Sequence, residues 1–198
     1  MFTRVVQFAG TKDIDGGVVF VRDTVTPVLR QQSGFRGVTA SADRSAGVFG
    51  VLTIWATEAN RDASESALLK VREEGAKIIG GEMTVEVYEE MVLEIVGPPR
   101  EGASLLIRRI SMDPAKIDEN VDFFRETVLP QIKASPGFVA VRNMINRSTG
   151  DGVVGTVWAD AASMDAAAEA ARQRQGQAAG RVSFGDQSKR EVLFVDLA

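Results

Sequence analysis

Two stretches decide how this chain folds: Phe20-Val21-Arg22-Asp23-Thr24-Val25-Thr26-Pro27 and, 103 residues on, Phe123-Phe124-Arg125-Glu126-Thr127-Val128-Leu129-Pro130. The same shift carries Gly34-Phe35 onto Gly137-Phe138, Arg44-Ser45-Ala46-Gly47 onto Arg147-Ser148-Thr149-Gly150, and Trp55-Ala56 onto Trp158-Ala159. Matches in Pro, Gly and Trp arise by chance less readily than matches in Ala or Leu. The chain therefore reads as two tandem copies of one unit, aligned without a gap from the N-terminus through Trp55. Residues 1–97 form the first copy, 98–102 a linker and 103–198 the second.

Working outward, each copy reads β-α-β-β-α-β. Short apolar strands are predicted at 2–9 and 104–112. The helix after each carries apolar residues at helical spacing, Val18, Val21, Val25, Val28 and Leu29 in one copy, Val121, Phe124, Val128 and Ile132 in the other. Pro27 and Pro130 sit late in these helices, so a kink or break is predicted one turn later. Gly34 and Gly137 are natural C-terminal caps. Strands 36–42 and 48–56 are joined through Arg44-Ser45-Ala46-Gly47, and strands 139–145 and 153–159 flank a turn at Thr149-Gly150-Asp151-Gly152. Second helices cover about 60–76 and, rich in alanine, about 162–178. The last strands run about 82–95 and 188–197, and the linker prolines Pro98 and Pro99 keep it extended.

A βαββαβ unit makes a four-stranded antiparallel sheet with both helices on one face. Its other face is still apolar and must be covered, and two copies can cover each other by closing into a barrel. In this respect the sequence resembles the dimeric α+β barrel superfamily, particularly its antibiotic-biosynthesis-monooxygenase-like branch. The resemblance rests on Gly34-Phe35 and Gly137-Phe138, and on Val51-Leu52-Thr53-Ile54-Trp55 and Val154-Gly155-Thr156-Val157-Trp158, each running into a helix. It implies an α+β fold of two ferredoxin-like βαββαβ repeats, whose antiparallel sheets pack as an intramolecular dimeric α+β barrel. One polypeptide would then make what relatives make as a dimer; whether the fused pseudo-dimer pairs again as a homodimer is left open.

The superfamily includes cofactor-independent quinol-type oxygenases and haem-degrading enzymes. The haem-degrading members carry an amide on strand one, a tryptophan on helix two and a haem-ligating histidine beyond it. Gln7 falls at the amide position. By spacing from Trp55 the tryptophan falls on Ser64 and the histidine near Glu74, while the second copy has Ile110 at the amide position. Haem degradation by that mechanism is not expected.

Composition narrows the chemistry further. Histidine is absent, removing the imidazole base, the haem ligand and the usual triads. Cysteine is absent too, removing thiol nucleophiles, disulfides and thiolate metal sites. The net charge is −4, with 10 Lys/Arg against 14 Asp/Glu in the first 99 residues and 13 of each in the rest, so no nucleic-acid partner is expected. Met1-Phe2-Thr3-Arg4 leads straight into a strand pattern without a basic n-region, and no run approaches the roughly 18 apolar residues of a membrane span. The default expectation is a cytoplasmic protein without a membrane partner. Gly80-Gly81 precedes a strand rather than opening a helix, so no phosphate loop is present and no cofactor is expected.

Four residues are candidates for substrate binding: Gln7, Trp55, Tyr88 and Trp158. Gln7 lies in an otherwise apolar strand and either orients a ligand or bonds nearby backbone. The tryptophans either stack on an aromatic substrate or plug the space between sheet and helix. Tyr88 either donates to a phenolic or quinone oxygen or is an ordinary half-buried strand tyrosine. Arg108-Arg109 either attract an anionic ligand or are surface arginines. Glu82, Glu86, Glu90 and Glu94 share one face of a strand unless a bulge intervenes, and are read as solvated or as paired with basic residues of the other copy, such as Lys189 and Arg190, rather than as a metal site. No residue is singled out as catalytic. The functional expectation is a barrel binding a small apolar or aromatic ligand, as a cofactor-independent monooxygenase of an aromatic or quinol-type substrate. The alternative is a non-catalytic binding or assembly protein that kept the fold without an active site.

Overall fold

The computed structural model describes residues 1–197. Its strands are β1 Phe2–Ala9, β2 Phe35–Asp43, β3 Val48–Trp55, β4 Glu82–Ile95, β5 Ser104–Ser111, β6 Phe138–Ile145, β7 Asp151–Trp158 and β8 Ser183–Leu197. Hydrogen bonding orders them β1-β3-β2-β8-β5-β7-β6-β4 and closes that order on itself as a barrel. Among the described residues, no helix is long and apolar enough to cross a membrane.

Compactness divides the chain into Met1–Val87 with Arg190–Ala198, and Tyr88–Lys189. The last strand of each repeat therefore begins in one compact unit and ends in the other. In the first unit β3 pairs antiparallel with β1 and β2, and β2 pairs with the end of β8. In the second, β7 pairs antiparallel with β5 and β6, and β6 with the end of β4.

The helices are α1 Ile14–Phe20, α2 Thr26–Arg30, α3 Glu58–Ala63, α4 Glu65–Ile79, α5 Ile117–Phe123, α6 Leu129–Lys133 and α7 Ala161–Arg174. Between α1 and α2 lies a π-helical turn, Val21–Val25, and between α5 and α6 another, Phe124–Val128. The distortion expected one turn after Pro27 and Pro130 thus lies in the turn before them. Proline lacks an N–H and its ring clashes with the carbonyl four residues back. The chain widens there instead, with the Thr26 and Leu129 N–H groups reaching Val21 and Phe124 carbonyls five residues back. The Thr26 hydroxyl also donates to the Val21 carbonyl at 2.8 Å.

Two further expectations are corrected. The turn of the second copy was placed at 149–152, yet Asp151 and Gly152 already belong to β7. Asn146 is the reason: its Oδ1 accepts from the Ser148 amide at 3.0 Å and hydroxyl at 2.6 Å, closing the turn earlier. β8 begins at Ser183 rather than 188, because strand pairing recruits a polar stretch that lacks apolar alternation.

The gapless alignment also fails at one place. Phe2 faces Trp55 across β1 and β3, whereas Ser104 faces Trp158 across β5 and β7. The first strands therefore correspond at a shift of 102, and the rest of the repeat up to the tryptophan at 103. The connection absorbs the difference: a 3-10 turn, Pro114–Lys116, precedes α5 and has no counterpart before α1.

Candidate functional site

Each unit has a cavity between its sheet and its helices. The one in the second unit measures about 160 Å³, and the one in the first about 50 Å³. An engineered apolar cavity of about 150 Å³ takes up benzene, so only the larger is sized for a small ring.

Strand alternation decides which side chains form the floor. In the second unit three cross-strand rows face the cavity: Leu106–Thr156, Arg108–Val154–Asn143 and Ile110–Ile145 (which flank Gly152). Phe124 and Ile132 close it from the first helical segment, and Ala167 and Ala171 from α7. Those alanines explain the volume. At the second helix of the first unit, Leu68, Val71, Arg72 and Ile79 line the smaller cavity.

Arg4 takes up further space in the first unit. It is buried, donates to Ser64 Oγ at 2.9 Å and to the Arg61 carbonyl at 2.7 Å, and pairs with Glu65 at 3.0 Å. By strand pairing its counterpart is Leu106, since Arg4 faces Thr53 and Leu106 faces Thr156. Burial lowers the Arg4 pKa, against the attraction of Glu65.

Three polar groups on the larger cavity matter chemically. Asn143 is 2% exposed, and its Oδ1 has no hydrogen-bond partner among the described residues. An unpaired buried acceptor costs roughly 1–3 kcal/mol. Arg108 is half-buried, donates to the Gly185 carbonyl at 3.2 Å and to Gln187 Oε1, and makes no contact with a carboxylate among the described residues. Burial lowers its pKa, and repulsion from Arg172 adds to this. Asn120 differs from both: its Nδ2 is committed to the Arg181 carbonyl at 3.3 Å.

The four candidates named from sequence are not gathered in one place. Trp158 lines the larger cavity and is itself buried. Its Nε1 donates to Thr156 Oγ1 at 2.9 Å, and its ring meets Phe138 edge-on at 5.8 Å. Trp55 repeats this arrangement, with Thr53 at 3.1 Å and Phe35 at 5.7 Å, but lines neither cavity. Gln7 also lines neither; its Oε1 accepts from Arg190 Nη2 at 2.6 Å. Gly50, opposite Gln7 on β3, leaves room for that arginine, since a Cβ there would lie 2.5 Å from Arg190 Nη1. Tyr88 is 3% exposed and lines neither cavity. The strand-pairing counterpart of Gln7 is Arg109, opposite Val153, and not Ile110.

Two glutamates of β4 pair, as expected, with basic residues of the other copy, though not with Lys189. Glu90 pairs with Arg142 and Glu94 with Lys133 at 2.5 Å, while Lys189 pairs with Asp165 at 2.6 Å. A register shift between Glu90 and Val92 also breaks the single-face alternation.

Asn143 was missed by sequence reasoning. The available signal was the one that drew attention to Gln7, an amide in an otherwise apolar strand. The alanine-rich helix opposite was the second signal.

Several solved structures share this fold. A candidate monooxygenase from Fusobacterium nucleatum superposes with a TM-score of 0.72 at 13% identity, covering 99% of this chain and 94% of its own. An anthrone oxidase-like protein gives 0.69 at 14% identity, covering 99% and 92%. The chain has the dimeric α+β barrel fold. No family model matches this barrel. In sequence it is similar to two Mycobacterium tuberculosis proteins named as uncharacterized, Rv2557 and Rv2558, each at 28% identity. The matches cover 73% and 67% of the barrel chain but 65% and 56% of the relatives. The chain thus spans less than two thirds of the length of these relatives.

Proposed function

We propose that this barrel binds a small aromatic or quinol-type molecule in its second unit and oxygenates it without a cofactor, in the cytoplasm. The observation that carries the reading is the cavity of about 160 Å³, walled mainly by apolar side chains with a few polar groups on its floor. Binding sites for small molecules commonly have this character. The monooxygenase and anthrone oxidase names of similar structures point the same way.

An electron-rich ring can itself reduce dioxygen. A quinol that takes up one oxygen atom and loses two hydrogens becomes a hydroxyquinone, and the second oxygen atom leaves as water. The substrate supplies all the electrons. The protein's contribution is a dry, shaped pocket with fixed polar groups, which strengthens every electrostatic contact inside it.

The alternative, a fold retained without an active site, is favoured for the first unit, where Arg4 and Arg72 take up the corresponding space. Native mass spectrometry of freshly purified protein, with oxygen uptake measured on added hydroquinone, tests the proposal. A bound mass lost on denaturation, and oxygen uptake abolished by Ala171→Phe, are the expected results. Binding without oxygen uptake would leave a carrier, and neither signal would retire the reading.

A further inference from the structure

Two features of the larger cavity ask for complementary ligand groups. Asn143 Oδ1 is buried without a partner among the described residues, on the cavity-facing row of β6. An acceptor in that state is satisfied by a hydroxyl or N–H donor, and by nothing apolar. Two strands away on the same row, Arg108 presents a guanidinium held, among the described residues, by neutral groups. A cation in an apolar wall gains most from an anion that enters with the ligand.

The spacing limits the molecule between them. Neighbouring strands are about 4.8 Å apart, so the two Cα atoms are separated by about 10 Å. The cavity volume admits one ring. Phe124 and Trp158 on its walls offer aromatic surface for edge or offset contact.

We infer that the cavity is built for a single-ring hydroxylated aromatic acid, its hydroxyl donating to Asn143 Oδ1 and its carboxylate meeting Arg108. This rests on the proposed use of that cavity and goes beyond it, since a quinol alone needs neither an acid group nor a fixed donor position. The first unit lacks both features. Ala40 stands where the second has Asn143, and Val6 where it has Arg108.

Calorimetric titration of the whole chain with 4-hydroxybenzoate, 4-methoxybenzoate, phenol and toluene tests the inference. 4-Hydroxybenzoate should bind at least about tenfold more tightly than the methyl ether, which accepts but cannot donate. It should also bind at least about tenfold more tightly than phenol, which lacks the carboxylate. Asn143→Leu should abolish the first preference, and Arg108→Met the second, each leaving toluene binding in place. Equal binding of hydroxy and methoxy acids, or of acid and phenol, overturns the inference while leaving the cavity a binding site. Failure of all four probes, toluene included, removes the binding reading itself. The comparison among probes is made on the wild-type chain, so it decides the matter even if a variant does not fold.

Discussion

Gln7 and Arg109 occupy the same place in their two sheets: Gln7 faces Gly50, Arg109 faces Val153, and 102 residues separate them rather than 103. One extra residue before α5 therefore displaces the first strand against the rest of its repeat, and the side chains that face the helices correspond at a shift of 102. Arg4, Val6 and Phe8 do so in the first unit, and Leu106, Arg108 and Ile110 in the second. Because side chains alternate, a slip of one residue exchanges the two faces of a strand. A gapless alignment would match Arg108 with Val5, on the other face, whereas strand pairing matches it with the cavity-lining Val6.

Replacing Arg4 by leucine should make the first cavity resemble the second. Ser64 Oγ still donates to the Arg61 carbonyl at 2.6 Å, and Glu65 keeps Arg72, so little is left unpaired. Stability should change by no more than about 1–2 kcal/mol. Xenon binding followed by 129Xe NMR should show a second occupied site that the wild type lacks.

Thr156→Val removes the acceptor of the buried Trp158 indole N–H while keeping the shape. Urea unfolding should show a loss of about 1–3 kcal/mol. Thr53→Val should cost a similar amount through Trp55. Single Trp→Phe backgrounds would assign the fluorescence change to one tryptophan.

Gly137 has φ +76, and a Cβ there would lie 2.3 Å from Ser163 Oγ. Gly137→Ala should lower stability by at least about 1 kcal/mol through the left-handed backbone alone. Adding Ser163→Gly should recover only the part due to the clash, which thermal unfolding of the single and double variants would separate.

Glu65 is held below the usual carboxylate range, mainly by the hydrogen bond from Arg72, against its desolvation and with smaller contributions from attraction to Arg72 and Arg4. A carboxyl depressed in the folded state stabilises fully above its ordinary value of 4.5, and that contribution is lost as pH falls through the folded value. Stability of wild type and Glu65→Gln should therefore differ at pH 7 and converge in acid below pH 4.5. Denaturant titrations across that range would check this.

Local chemistry and repetition within the sequence by themselves determined the two-copy organisation and the order of elements in each copy. Pro, Gly and Trp at fixed spacing constrain backbone and packing wherever they occur, so the repeat of Gly34-Phe35 and Trp55 in Gly137-Phe138 and Trp158 was readable without coordinates. Only the tertiary structure decided the rest. Which face Gln7 or Arg108 presents depends on strand register, a property of paired strands that one strand's own pattern does not contain. Whether an amide is satisfied depends on groups distant in the chain: Gln7 meets Arg190, 183 residues away, while Asn143 Oδ1 has no partner among the described residues. The cavity has the same origin, as the difference between alanines on one helix and larger side chains on another becomes a volume only once each helix is laid against its sheet.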